Sequence, residues 1–129
     1  MRLIKNLNCP GTRVGRVRVI FTLPEEVNSI TGVRPAPSNW PKEPLVYIEW
    51  YSKLEKAANP RNGMMYLIKK DKEVQGTILP LSNIRQSCML FPTFPSSVPS
   101  HWKTENILDY ASSFYINNWL SKYSYQTIW

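Results

Sequence analysis

The chain has 129 residues, 43% of them apolar and 12% aromatic, with 16 Lys and Arg against 9 Asp and Glu for a formal net charge of +7. That length suits one domain with one hydrophobic core, and the aromatic content excludes a disordered polar chain. No apolar run reaches the roughly 18 residues of a membrane helix, and the excess of prolines (11) over glycines (5) favours short strands and ordered turns over long helices.

The positive charge admits two readings, an ordinary solvated basic surface or an anionic partner such as nucleic acid, an acidic protein or a membrane surface. It is uneven. The first 24 residues hold Arg2, Lys5, Arg13, Arg16 and Arg18 and no acid, whereas the last 29 balance Lys103 and Lys122 against Glu105 and Asp109. Cys9 and Cys88 form no C-x-x-C pair. They are expected to be reduced thiols of an intracellular protein, although a single bridge between them is compatible with the sequence. The apolar part of the first ten residues is too short for a signal peptide.

Residues 1–12 read as a basic lead-in ending at the turn signal Pro10-Gly11, with Leu3, Ile4 and Leu7 either packing on the domain or fraying. The first strand is expected over 14–23. Val17, Val19, Phe21 and Leu23 share one face by period two, and Arg16, Arg18 and Thr22 share the other. The arginines are then either a solvated strand face or, with Arg13 and Arg2 nearby, phosphate contacts. Pro24 stops this strand. The Pro-rich stretch 24–44 is expected to be one long irregular loop, with Trp40 either folded back on the core or standing out as a contact anchor.

The run 45–51, LVYIEWY, is the strongest strand. Both its faces are largely apolar, which predicts a central position, and Glu49 then calls for a cationic cross-strand neighbour. Asn62-Gly63 suits a positive φ, and strands over 63–70 and 74–79 would complete a three-strand meander. Met64 and Met65 read as core fillers or as an adaptable binding surface. Pro80 breaks the ladder, 81–83 make a corner, and 84–91 is expected as one strand with Cys88 and Leu90 on a common face. Cys88 has no activating neighbour in sequence and reads as a buried, inert thiol.

His101 is the single histidine and has no ligand-spaced companion, so neither a metal site nor a cofactor is expected. Thr104 is a plausible N-cap for a short helix carrying Ile107, Leu108 and Ala111, and 113–117, SFYIN, reads as a last strand. Trp119, Leu120, Tyr123 and Tyr125 then close the domain, as a lid or as an exposed aromatic groove. The predicted fold is mainly β: a small antiparallel barrel-like domain over 13–129 with one or two short helices near the C-terminus. The chain shows no paired carboxylates at motif spacing, Gly-rich phosphate loop or nucleophile elbow, so a non-catalytic role is expected.

Several phrases carry a resemblance. They are Arg16-Val-Arg-Val-Ile-Phe-Thr-Leu-Pro24, Pro44-Leu-Val-Tyr-Ile-Glu-Trp-Tyr51, Gly63-Met-Met-Tyr66 and Ile78-Leu-Pro-Leu-Ser-Asn-Ile-Arg-Gln-Ser-Cys-Met-Leu-Phe-Pro92. Trp102-Lys-Thr-Glu-Asn-Ile-Leu-Asp109 and Ser113-Phe-Tyr-Ile-Asn117 complete the set. In this order, over roughly residues 13–120, they resemble the C-terminal domain of fungal KDZ-type (Kyakuja–Dileera–Zisupton) transposases. Met89 departs from that pattern, which has a histidine after the cysteine. The corner at 80–84 followed by Phe114-Tyr-Ile-Asn117 is also similar to the second half of bromo-adjacent homology (BAH) domains. The resemblance implies a non-catalytic appendage of a transposase, located in the nucleus and contacting DNA, chromatin or another copy of the protein.

Two sets of contact residues follow. A module that binds DNA or chromatin would use Arg13, Arg16, Arg18, Lys69, Lys70 and Lys72, each neutralising a phosphate. A module that reads a histone tail or self-associates would use the aromatics Trp40, Trp102, Tyr115, Trp119 and Trp129.

Overall fold

A computed structural model of the chain describes residues 2–5, 12–54, 60–117 and 119. Cys9, Leu7, the Pro10-Gly11 turn, Leu120, Tyr123, Tyr125 and Trp129 lie outside the described residues, as do the side chains of Arg2, Leu3 and Ile4. The fold is mainly β, with three small antiparallel sheets and few short helices.

The first sheet has five strands in the order β7-β5-β2-β1-β8. They are β1 (Arg2–Lys5), β2 (Thr12–Phe21), β5 (Leu45–Trp50), β7 (Gly76–Pro80) and β8 (Ile84–Ser87). The apolar run at 45–50 lies between β2 and β7, as its two apolar faces require. Its inward residues Val46, Ile48 and Trp50 form a core cluster with Val17, Leu79, Leu81 and Ile84 packed against it. Trp50 also donates from Nε1 to Thr77 Oγ1 at 3.0 Å, satisfying its one polar atom.

The alternation expected along 14–23 does not persist. A bulge between Val17 and Val19 puts Val17 opposite Ile48 and Val19 opposite Tyr47, leaving Arg18 as the extra residue. Val19 and Ile20 are consequently about half exposed (48% and 45%).

The stretch 24–44 is not one irregular loop. It folds into a hairpin of β3 (Glu26–Ser29) and β4 (Gly32–Pro35). Gly32 adopts φ +116°, a conformation that strains any residue with a Cβ. The Ser29 hydroxyl donates to the Gly32 carbonyl at 2.8 Å. Ile30 at the tip is fully exposed, so the hairpin projects from the body and buries almost nothing.

The expected meander is also corrected. β6 (Tyr66–Lys69) joins a second sheet, of order β6-β10-β9, with β10 (Ser113–Asn117) and β9 (Met89–Pro92). It meets the β5 segment just past the end of that strand, through the bridge of Tyr51 to Lys70 and the Ser52 N–H donating to the Lys69 carbonyl at 2.8 Å. The single strand expected over 84–91 divides at Cys88. Residues before it pair with β1 in the first sheet, and residues after it pair with β10 in the second. Cys88 itself is buried at the crossing. Among the described residues these strands form separate sheets and no closed barrel.

The second sheet supplies the larger core cluster: Tyr66, Ile68, Phe114 and Ile116 with Val14, Tyr51, Cys88 and Ala111. The Tyr51 and Phe114 rings meet edge-on at 5.7 Å. The helix near the C-terminus is a single turn, α1 (Ile107–Tyr110), and Asn106 rather than Thr104 precedes it. Asn106 is occupied in holding the preceding loop: its Oδ1 accepts from the Lys103 N–H at 2.8 Å and its Nδ2 donates to the His101 carbonyl at 2.9 Å. Gly63 takes the expected positive φ, +63°, and Met64 follows it at +60°. Met64 is thereby turned outward and 45% exposed, not a core filler.

Candidate functional site: a charged cleft and an aromatic groove

The bulge in β2 and the bridge between the sheets bring Arg13, Arg16, Arg18 and Lys70 of the expected basic set together. Each is engaged. Arg13 donates from Nε to the Tyr51 carbonyl at 2.8 Å, lies 3.8 Å from the Asp71 carboxylate and sits 5.1 Å over the Trp50 ring. Arg16 is paired through Nη1 with Asp109 Oδ1. Arg18 donates from Nε to Glu49 Oε2 at 2.7 Å, which supplies the cationic neighbour that Glu49 calls for. Lys70 donates from Nζ to the Asp109 carbonyl at 2.7 Å. Lys69 and Lys72 are exposed.

Arg16, Arg18 and Lys70, with Glu49, Asp71 and Asp109, line a cleft of about 110 Å³ whose wall includes Trp50 and Tyr51. The Asp109 carboxyl is held below the ordinary aspartate range by its hydrogen bond to Arg16, and the Arg16 guanidinium is raised in return. Lys70 is lowered, chiefly by burial. Burial pushes the Tyr51 phenol up to about 12, and its hydroxyl has no hydrogen-bond partner among the described residues. Glu49 is expected from the sequence to have a cationic neighbour, but the sequence does not point to Asp71 or Asp109 as partners of these arginines. Asp109 lies 93 residues from Arg16 on the one-turn helix, and no local pattern announces that pairing.

The second concavity lies at the base of the β3–β4 hairpin. The Ala36 N–H donates to the Glu25 carbonyl at 2.8 Å and closes that base, and the Trp40 N–H donates to the Pro37 carbonyl at 3.0 Å and makes the turn beyond it. Between them lies a groove of about 680 Å³ walled by Leu23, Pro24, Pro37, Trp40 and Pro41, with Glu25 and Lys42 giving it one charge of each sign. Trp40 is half-buried in this wall.

The other expected aromatic contacts are scattered. Trp102 is half-buried against the larger core cluster, tilted on Phe94 at 6.3 Å. Tyr115 is half-buried, its hydroxyl accepting from Asn62 Nδ2 at 2.5 Å. Trp119 is 61% exposed but tethered, donating from Nε1 to the Gly63 carbonyl at 2.6 Å. The described residues therefore do not bring these aromatics into one cage. His101 packs edge-on against Tyr110 at 4.8 Å. Among the described residues, no three His, Cys, Asp or Glu side chains are grouped as metal ligands. Burial pushes the Cys88 thiol up to about 11, which suits the inert core role.

Comparison with family models, curated proteins and solved structures finds no match to this chain.

Proposed function

We propose that the chain is a non-catalytic module that binds a segment of another protein in the Trp40 groove. One observation carries this reading: all three arginines expected to meet phosphate are already turned to carboxylates. A phosphate approaching Arg16 or Arg18 would have to displace Asp109 or Glu49, exchanging one charged partner for another at little net gain. The groove has the size of a ligand site. Its proline-rich wall is held in shape before any partner arrives, which lowers the entropy cost of docking an extended segment, and Trp40 offers the apolar surface that anchors such contacts. The resemblance to transposase C-terminal domains supports a nuclear setting and a chromatin protein as the partner.

A second reading, attachment to DNA as a polyanion, is favoured by the net charge of +7 and by exposed Lys69 and Lys72. It would be weak and salt-sensitive, because the arginines contribute little to it.

A panel of histone-tail peptides titrated calorimetrically at physiological salt tests the groove. The expected outcome is binding of at least one peptide that Trp40→Ala weakens about tenfold or more and Arg16→Ala leaves unchanged. Absence of binding throughout the panel, or binding indifferent to Trp40→Ala, contradicts it.

A further inference from the structure

Among the described residues the five-stranded sheet ends at β7, and the register of β5 against β7 determines which backbone groups that edge presents. The Trp50 N–H donates to the Gln75 carbonyl at 2.9 Å, and the Leu81 N–H donates to the Pro44 carbonyl at 2.8 Å. Between these bonds Ile48 stands opposite Thr77 and Val46 opposite Leu79. Hydrogen-bonded pairs alternate with non-bonded ones in an antiparallel ladder. Gln75, Thr77, Leu79 and Leu81 therefore face β5, and the N–H and C=O groups of Gly76 and Ile78 face away from it. Pro80 also presents its carbonyl outward and has no N–H to offer.

An edge of this kind is normally blunted by charge, and lysine is the usual device. Residues 74–80, Val-Gln-Gly-Thr-Ile-Leu-Pro, contain no charged side chain. Ile78 is 56% exposed and Val74 67% exposed along it. Ile78 shares its sheet face with Tyr47 and Val19, its cross-strand neighbours, so an apolar row runs outward to the edge and stops there.

We infer that β7 pairs with β7 of a second copy of this chain, antiparallel, about a two-fold axis through Thr77. This register is self-complementary. Gly76 and Ile78 of one copy exchange both backbone bonds with Ile78 and Gly76 of the other, giving four N–H···O=C bonds and joining the two sheets into one. Ile78 of each copy then stands opposite Gly76, where the Tyr47 side chain occupies the space a Cβ would fill, its hydroxyl oxygen 2.1 Å from that position. Ile78 therefore meets an aromatic ring, a favourable cross-strand contact, and the two Thr77 side chains face each other on the opposite side of the sheet. Pro80 ends the ladder at both ends. The absence of charge lets two chains of net charge +7 meet here without like charges in register. The contact is short, so the dimer is weak and concentration-dependent. It uses a different surface from the Trp40 groove and stands independently of what that groove binds.

Sedimentation velocity over a concentration series on the whole chain tests this, with Ile78→Lys as the edge-blocking variant. The expected result is a reversible monomer–dimer equilibrium whose dissociation constant rises about tenfold or more in Ile78→Lys. The side chain is exposed, so circular dichroism of the variant monomer should be unchanged. Thr77→Cys supplies a second readout. Thr77 residues of the two copies form a non-bonded pair with side chains close enough for a disulfide, so mild oxidation should give a covalent dimer through residue 77. A chain that stays monomeric up to about 500 µM overturns the inference, because a β-edge contact of this size needs no more than that to show. So does a dimer that persists in Ile78→Lys with no cross-link through Thr77→Cys.

Discussion

Arg16 illustrates how a residue's surroundings override its type. On the bare strand it is a basic side chain facing outward, and in the fold it is a clamp joining β2 to the one-turn helix through Asp109. The Asp109 carboxyl is lowered by that contact. A lowered folded-state value means that the contribution is present above the ordinary aspartate value and is lost as pH falls through the lowered one. Asp109→Asn should therefore reduce stability at pH 7 by under about 1 kcal/mol, since the side chain is half exposed and screened. The difference from the parent chain should shrink in denaturant titrations as pH falls below the ordinary aspartate value and the carboxyl protonates. Cys88 is legible from its apolar context alone, and the structure adds why it stays quiet: burial keeps the thiol protonated at neutral pH. Iodoacetamide at pH 8 should leave Cys88 unmodified in the native protein and modify it after denaturation, as read by peptide mass spectrometry.

At the scale of elements, what a strand contains was legible in the sequence, and what it pairs with was not. The apolar run at 45–50 and the SFYIN segment announce themselves because burial on two faces demands β-branched and aromatic residues. The sheet to which β6 belongs depends on contacts far along the chain: Ile68 opposite Phe114 and Tyr66 opposite Ile116, all buried. Cys88 looks in sequence like any inward residue of a continuous strand, yet the chain changes sheets there. The β3–β4 hairpin was hidden because its flanking prolines signal a loop, while its turn rests on the less conspicuous Ser29 and Gly32. These roles make opposite demands on mutation. Phe114→Ala should cost about 3–5 kcal/mol, since the ring is fully buried where the second sheet meets Tyr51. Ile30→Ser at the hairpin tip should change stability by less than about 0.5 kcal/mol. Chemical denaturation of the two variants checks both.

For the whole molecule, net charge indicates a class of partner without locating it. Of the basic residues expected at one phosphate-binding face, Arg16, Arg18 and Lys70 do gather, but Glu49, Asp71 and Asp109 gather with them, and the cleft is a mixed-charge joint between two sheets. The long-range pairing of Arg16 with Asp109 is a product of tertiary folding, so charge counting along the strand overstates the cations open to a partner. The Trp40 groove was legible only in part. Its aromatic and prolines stand out in the sequence, but their convergence depends on the hairpin base closed by Ala36 and Glu25. The most direct measurement is the fluorescence anisotropy of labelled duplex DNA titrated with the native chain and with the Arg16→Ala/Arg18→Ala double variant, at low and at physiological salt. The expected result is weak binding at low salt that disappears at physiological salt and is little changed by the double substitution. Binding that survives physiological salt and is abolished in the double variant would contradict the account, and would show that these arginines meet phosphate rather than hold the two sheets together.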